Sequence, residues 1–88
     1  MTRAKFVSED AVRFGAIVNR LRTEHHWTLE DLARFSRMNS TYLGVLERGL
    51  NMPTLATILQ LAEVFGVDAA GIVSEVEGSR REARGMHP

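Results

Sequence analysis

The chain has 88 residues, no cysteine, and 11 acidic side chains balanced by 11 basic ones. This length gives one compact domain, and the lack of cysteine excludes disulfide bonds and thiolate metal sites. No apolar run is long enough to span a membrane, and the first ten residues lack the apolar core of a signal peptide, so we expect a cytoplasmic protein.

The charges are unevenly distributed although they sum to zero. The segment 52–77 contains acidic side chains but no lysine or arginine, whereas the segment 78–88 is basic. A chain with one acidic end can still present a basic face to a polyanion.

The first helix is predicted to begin after Ser8, which can cap it, and to run to about His25. It has apolar residues at the i, i+3, i+4, i+7 spacing of one buried face: Phe14, Ile17, Val18 and Leu21. We expect residues 1–7 to form an N-terminal arm and residues 8–77 to form the folded domain.

A short second helix is predicted between Thr28 and about Ser36. Thr28 and Asp31 have the spacing of a capping box, although Asp is shorter than the usual Glu or Gln. Residues 37–39 form the turn, and Asn39 or Ser40 then caps a third helix. That helix carries Leu43 and Leu46 inward and ends at Gly49, where a left-handed cap is expected.

A fourth helix is predicted to begin after Thr54 and to end at Gly66. The buried stripe of this helix is predicted to consist of Leu55, Ile58, Leu59, Ala62 and Phe65, and Leu61 is predicted to lie at the edge of the stripe.

A fifth, short helix is predicted to begin near Asp68, with Ile72, Val73 and Val76 as its apolar side chains. Residues 78–88 show no apolar periodicity and are expected to form a mobile basic tail. No segment shows strand alternation, so the predicted fold is all-α with five helices.

Two short helices joined by a three-residue turn can place the second helix in the major groove of DNA. That groove is about 12 Å wide and admits one helix. Ala33 is small enough for the point where the two helices cross. If the leucines face the core, the outer or leading side of the third helix consists of Asn39, Ser40, Thr41, Tyr42, Gly44 and Val45.

Residues 14–77 resemble the phage-repressor (Cro/repressor-type, XRE-like) helix-turn-helix family, and particularly its restriction–modification controller proteins. The matching stretches, in family order and spacing, are 21–22, 28–33, 41–49, 53–55 and 61–67. The resemblance implies a five-helix, lambda-repressor-like DNA-binding domain with the helix-turn-helix at helices 2 and 3. It further implies a homodimer on a two-fold DNA site and a structural ion pair between Arg22 and Glu47.

Three positions depart from the family pattern. Leu29 stands where the family usually has a glutamine that supports phosphate contact, so that contact is absent or comes from backbone N–H groups. Arg37 replaces the usual turn glycine, and a left-handed torsion there would be strained, although arginine can reach phosphate. His26 replaces the usual helix-ending glycine.

Direct DNA contact is predicted for Ser40, Thr41 and Tyr42, whose hydroxyl groups can bond phosphate or base edges. The alternatives are that Ser40 only caps and that Tyr42 packs. Asn39 either caps or reads adenine, and Val45 either touches a thymine methyl group or is a spacer facing the groove. Phosphate contacts are expected from Arg48 and Asn51, and also from Arg34 and Arg37.

A small domain has a marginal core and often relies on a partner subunit. Part of the set Phe65, Ile72, Val73 and Val76 is therefore expected to form a dimer surface that places two recognition helices about 34 Å apart. The alternative is that all four close the core of one subunit.

The ordered motifs favour a sequence-specific transcriptional regulator that inserts residues 39–48 into the major groove as a homodimer on a two-fold operator. A protein-interaction adaptor or antitoxin-like module is the alternative, because the net charge is zero and Leu29 lacks an amide. His25 and His26 are adjacent and do not converge on a metal ion. No nucleophile–base set is present, so we expect no enzyme, metal, cofactor or small-molecule ligand.

Overall fold

A computed structural model describes residues 8–85, and all of its regular structure is α-helical. The helices are α1 (Glu9–Glu24), α2 (Leu29–Ser36), α3 (Ser40–Glu47), α4 (Leu55–Phe65) and α5 (Ala69–Ala83). The predicted all-α, five-helix fold is confirmed. The predicted arm of residues 1–7 lies outside the described residues.

Side-chain caps fix where the helices begin. Ser8 accepts a hydrogen bond from the Ala11 backbone N–H at 3.1 Å, and Thr54 caps α4 in the same way. At α2 both halves of the capping box are present, since Thr28 and Asp31 each accept from the other's backbone N–H at 3.0 Å. These bonds satisfy N–H groups that a helix start leaves without partners.

The core lies between α1, which packs on α3 and α5, and α2, which packs on α3 and α4. The predicted α1 stripe is buried, and the α3 leucines Leu43 and Leu46 are fully buried against it. Gly15 lets the backbones of α1 and α3 meet, because a Cβ atom there would lie 2.2 Å from the Leu46 carbonyl oxygen.

The predicted buried stripe of α4 is wrong at three positions. Leu61 is fully buried, whereas Leu55 and Leu59 are 69% and 52% exposed. The helix is apolar nearly all round, so periodicity alone could not choose its inner face. Packing on α2 sets the face, and Gln60 Nε2 donates to the Ser36 carbonyl oxygen at 3.0 Å.

Helix α5 continues through the segment predicted as a tail and ends at Ala83. That segment lacks apolar periodicity because it extends past the core, where ion pairs hold it instead. Arg80 pairs with Asp10 of α1, and Arg20 of α1 pairs with Glu75 one turn earlier on α5. Residues 86–88 lie outside the described range.

Among residues 8–85, no single helix is both long and apolar enough to cross a membrane. Helices α4 and α5 meet that test only as a pair, with a 112° bend between them. Leu61, Phe65 and Ile72 of this pair are buried in the core.

Candidate nucleic-acid interface

The turn between α2 and α3 depends on a left-handed residue that is not glycine. Arg37 has φ 60° and ψ 34°, and the Met38 backbone N–H donates to the Ala33 carbonyl oxygen at 3.1 Å. A left-handed arginine costs about 1–2 kcal/mol relative to a right-handed conformation. Arg37 is exposed, so its guanidinium projects from the turn into solvent.

Asn39 caps α3 with its side-chain oxygen. Oδ1 accepts from the backbone N–H groups of Thr41 at 2.8 Å and Tyr42 at 3.1 Å. An amide oxygen has two lone pairs, and bidentate recognition of adenine needs that oxygen as an acceptor. The structure therefore places Asn39 as the cap of the helix, with only its amide N–H groups left to donate.

The two sides of α3 have different environments. Leu43 and Leu46 face the core, while Thr41, Val45 and Arg48 follow one another at i, i+4 and i+7 on the outer side. Thr41 and Arg48 are exposed and Val45 is half-buried. This outer row is the part of α3 that another molecule can reach.

An open notch separates the start of α2 from the outer row of α3. A Cβ atom on Gly44 would lie 3.6 Å from Leu29 Cδ1 and 3.2 Å from Arg48 Nη1. The Leu29 side chain and the Arg48 guanidinium therefore both lie close to the backbone of Gly44, which is buried. The residues that line the notch are Leu29, Glu30, Ser40, Thr41, Gly44 and Arg48.

Tyr42 connects α3 to the start of α4. Its hydroxyl oxygen lies 3.3 Å from Thr57 Oγ1, which also accepts from Thr54 Oγ1 at 3.1 Å. The ring is half-buried against the core. Packing is thus one function of Tyr42, and its hydroxyl belongs to a cluster of three at the N-terminus of α4.

Arg22 and Glu47 form the ion pair that joins α1 to the end of α3. Arg22 Nε donates to Glu47 Oε2 at 2.6 Å and Nη2 donates to Oε1 at 3.1 Å, with side chains only 16% and 8% exposed. The hydrogen bond that Arg22 donates to Glu47 raises the pKa of Arg22. Arg22 Nη1 also donates to the Trp27 carbonyl oxygen at 2.8 Å, so the pair fixes the chain before α2 as well.

The other predicted contact residues differ in how they are paired. Arg34 donates to Asp31 at 3.0 Å, and its guanidinium carbon lies 5.2 Å from the centre of the Phe35 ring. Within residues 8–85, Arg37 and Arg48 form no ion pair. Asn51 is exposed in the loop after α3.

The residues predicted as a dimer surface divide into two groups. Phe65 and Ile72 are each 4% exposed and close the core of the subunit, so they cannot form a dimer surface. Val73 is 49% exposed, and Val76 is half-buried beside a groove that Met52 and Pro53 also line. Sequence reasoning missed the exposed leucines of α4, since it placed them in the core.

Comparisons with known proteins agree with this geometry. Residues 18–72 match the family model described as Helix-turn-helix. The uncharacterized HTH-type transcriptional regulator y4dJ of Sinorhizobium fredii is 35% identical over 63 residues, which are 72% of this chain and 82% of y4dJ. The crystal structure of the restriction-modification controller protein C.AhdI of Aeromonas hydrophila is 32% identical with a TM-score of 0.70, and the match covers 74% of this chain and 98% of C.AhdI.

A longer relative shares the same region. The HTH-type transcriptional regulator RamB of Mycobacterium tuberculosis is 34% identical over 61 residues, and the match covers 69% of this chain but only 13% of RamB. The family resemblance seen in the sequence is confirmed by these matches. The chain therefore belongs to the helix-turn-helix family.

Proposed function

We propose that this chain binds duplex DNA sequence-specifically, as a homodimer on a two-fold operator, and thereby regulates transcription. One observation carries the proposal: the outer row of α3 is open, while buried leucines and a half-buried ion pair fix the inner side of the helix. An exposed helix held in this way fits the major groove. The similarity to C.AhdI and to y4dJ supports the same function.

The contacts divide into base edges and phosphates. Thr41, Val45 and Arg48 face the bases from the outer row, with Ser40 beside them at the start of α3. Phosphate contacts come from the side chains around this row: Arg34, Arg37, Tyr42 and Asn51. Arg37 is the strongest of these, because it projects from the turn and has no carboxylate partner within residues 8–85.

The dimer contact lies on the side of the exposed α4 leucines and the outer face of α5. Leu55 and Leu59 lie one turn apart on α4, and each exposes more than half of its surface. Val73 and Val76 add apolar surface from α5. A contiguous exposed apolar patch marks an interaction site, and a patch on one subunit that meets its own copy gives a two-fold dimer.

Selection from random DNA duplexes tests the function. We expect one enriched two-fold sequence whose half-sites lie about 34 Å apart, with affinity that falls steeply as salt concentration rises. Arg48→Ala should weaken binding to that sequence about tenfold or more, since it removes a base or phosphate contact.

Arg81→Ala is the matched control, because Arg81 is also exposed but lies on α5 and pairs with Glu77. It should leave the affinity within about twofold of the parent. A purified dimer that prefers no sequence in the selection would contradict the proposal. A partner protein that covers residues 39–45, with no salt-sensitive DNA shift, would instead favour the adaptor function.

A further inference from the structure

We infer that the notch and the adjacent Val45 recognise the C5-methyl group of a pyrimidine in the major groove. The inference rests on the proposed function and specifies what the outer row of α3 reads. The shared chemistry is a methyl group on C5, which thymine carries and which 5-methylcytosine also carries.

The surface around the notch has only a few groups that can read bases by hydrogen bonds. Asn39 Oδ1 is already occupied by two backbone N–H groups, so the side chain cannot make the bidentate contact to adenine. Ser40 and Thr41 offer single hydroxyl groups, and Arg48 is the one cation that lines the notch. Arg48 and Glu30, which also lines the notch, can each read one base by hydrogen bonds, so other positions of a half-site are open to discrimination by apolar contacts.

Apolar groups lie at the edges of the same surface. Leu29 Cδ1 lies 3.6 Å from where a Gly44 Cβ would be, so the leucine lies against α3 at the point where a side chain is missing. Val45 is half-buried on the outer row, and Thr41 lies one helical turn before it. These three side chains flank the path of a base edge along α3.

Among the groups that base pairs present in the major groove, the C5-methyl group of thymine is the apolar one. Placing it between Leu29 and Val45 removes apolar surface from water on both partners. A glutamine at position 29 would instead leave an amide to be paired, so the leucine favours a methyl-bearing base.

Replacing thymine by uracil in the selected duplex removes only the methyl group. We expect at least one position in each half-site where this change weakens binding about fourfold, which is the effect of losing one buried methyl group. Val45→Thr replaces a methyl group by a hydroxyl of similar size and should abolish or shift that sensitivity. Leu29→Gln should do the same if the contact lies in the notch.

Val67→Thr is the matched control, since Val67 is 39% exposed but lies in the α4–α5 connection. It should bind the thymine and uracil duplexes with the parent's preference. Specific binding that is insensitive to uracil at every position would overturn the inference and leave the proposed function intact. Failure to select any sequence would overturn the proposed function itself.

A change of base pair at the position that is sensitive to uracil distinguishes thymine from 5-methylcytosine as the base that supplies the methyl group. Changing that thymine–adenine pair to cytosine–guanine should weaken binding, and the cytosine can then be methylated at C5. Recovery of affinity on methylation assigns the contact to the methyl group of either base. No recovery assigns it to thymine alone.

Discussion

Gly15 of α1 and Leu46 of α3 lie so close that any side chain on Gly15 would meet the Leu46 carbonyl oxygen. Alanine in place of an exposed helical glycine normally stabilises by about 0.5–1 kcal/mol. At position 15 the sign should reverse, and we expect Gly15→Ala to lower the free energy of unfolding by about 1–3 kcal/mol. Urea denaturation followed by circular dichroism measures the change.

Gly78→Ala on α5 is the control for that substitution, because nothing lies within 4 Å of the added Cβ atom. It should raise the free energy of unfolding by about 0.5–1 kcal/mol. Equal effects at the two positions would show that α1 and α3 are not in backbone contact.

Removing one partner of the Arg22–Glu47 ion pair should destabilise the fold, because the other charge is then left without its partner. Glu47→Ala leaves the Arg22 guanidinium half-buried without its carboxylate, and we expect a loss of roughly 3 kcal/mol. Arg22→Ala should cost a similar amount, and the double variant should be much less destabilised than the sum of the two. Additive losses in this double-mutant cycle would argue against a coupled pair.

Arg37 should affect stability and DNA affinity in opposite directions. Arg37→Gly relieves the left-handed torsion and should raise the free energy of unfolding by about 1 kcal/mol. The same change removes the proposed phosphate contact from both subunits, so DNA affinity should fall and the salt slope of dimer binding, measured by titration at several salt concentrations, should shrink by about two. An unchanged slope would show that Arg37 does not touch phosphate.

Acid should loosen α5 from α1. The hydrogen bond from Arg80, with a smaller contribution from Arg13, lowers the pKa of Asp10 below its ordinary 3.8, and the hydrogen bond from Arg20 lowers the pKa of Glu75 below 4.5. Stabilisation by these pairs is therefore complete above those ordinary values and is lost as pH falls through the lower folded-state values.

Thermal unfolding measured from pH 6 down to pH 2 should show this loss. Asp10→Asn and Glu75→Gln together should lower the melting temperature at pH 6 and make the decline toward pH 2 shallower. A decline as steep as the parent's would assign the acid sensitivity to other carboxylates.

Association should depend on the exposed α4 leucines. Leu59→Glu places a charge in the proposed apolar contact and should convert the dimer to a monomer in sedimentation experiments. DNA affinity should fall with it, since two half-sites are no longer bound together. Val67→Glu, at another exposed apolar residue, should remain a dimer, and a dimeric Leu59→Glu variant would place the contact elsewhere.

The sequence predicts a helix correctly where a capping side chain and one clear apolar face occur in the same segment. Ser8, Thr28 and Asn39 are caps that act within four residues, and the α1 stripe has one clear face. Helix α4 lacks such a face, so its leucines were assigned to the wrong side. The end of α5 could not be predicted, because Arg80 and Asp10 are 70 residues apart in sequence.

The candidate interface was predictable in outline but not in detail. The spacing located α3, and the family resemblance implied the ion pair that the structure contains between Arg22 and Glu47. The sequence alone does not distinguish a capping Asn39 from one that reads adenine, and only the cap geometry shows where its oxygen points. The notch depends on how closely α2 and α3 cross at Gly44, which no local pattern specifies.

The residues of α3 and its two ends have different functions according to the side of the helix on which they lie. Its folding depends on the Asn39 cap, the inward leucines and Glu47, whereas the outer row contributes little to the core. Mutation can therefore replace Thr41, Val45 or Arg48 without unfolding the domain. If these positions read DNA as proposed, descendants of this protein can acquire new operators through them while the rest of the fold stays the same.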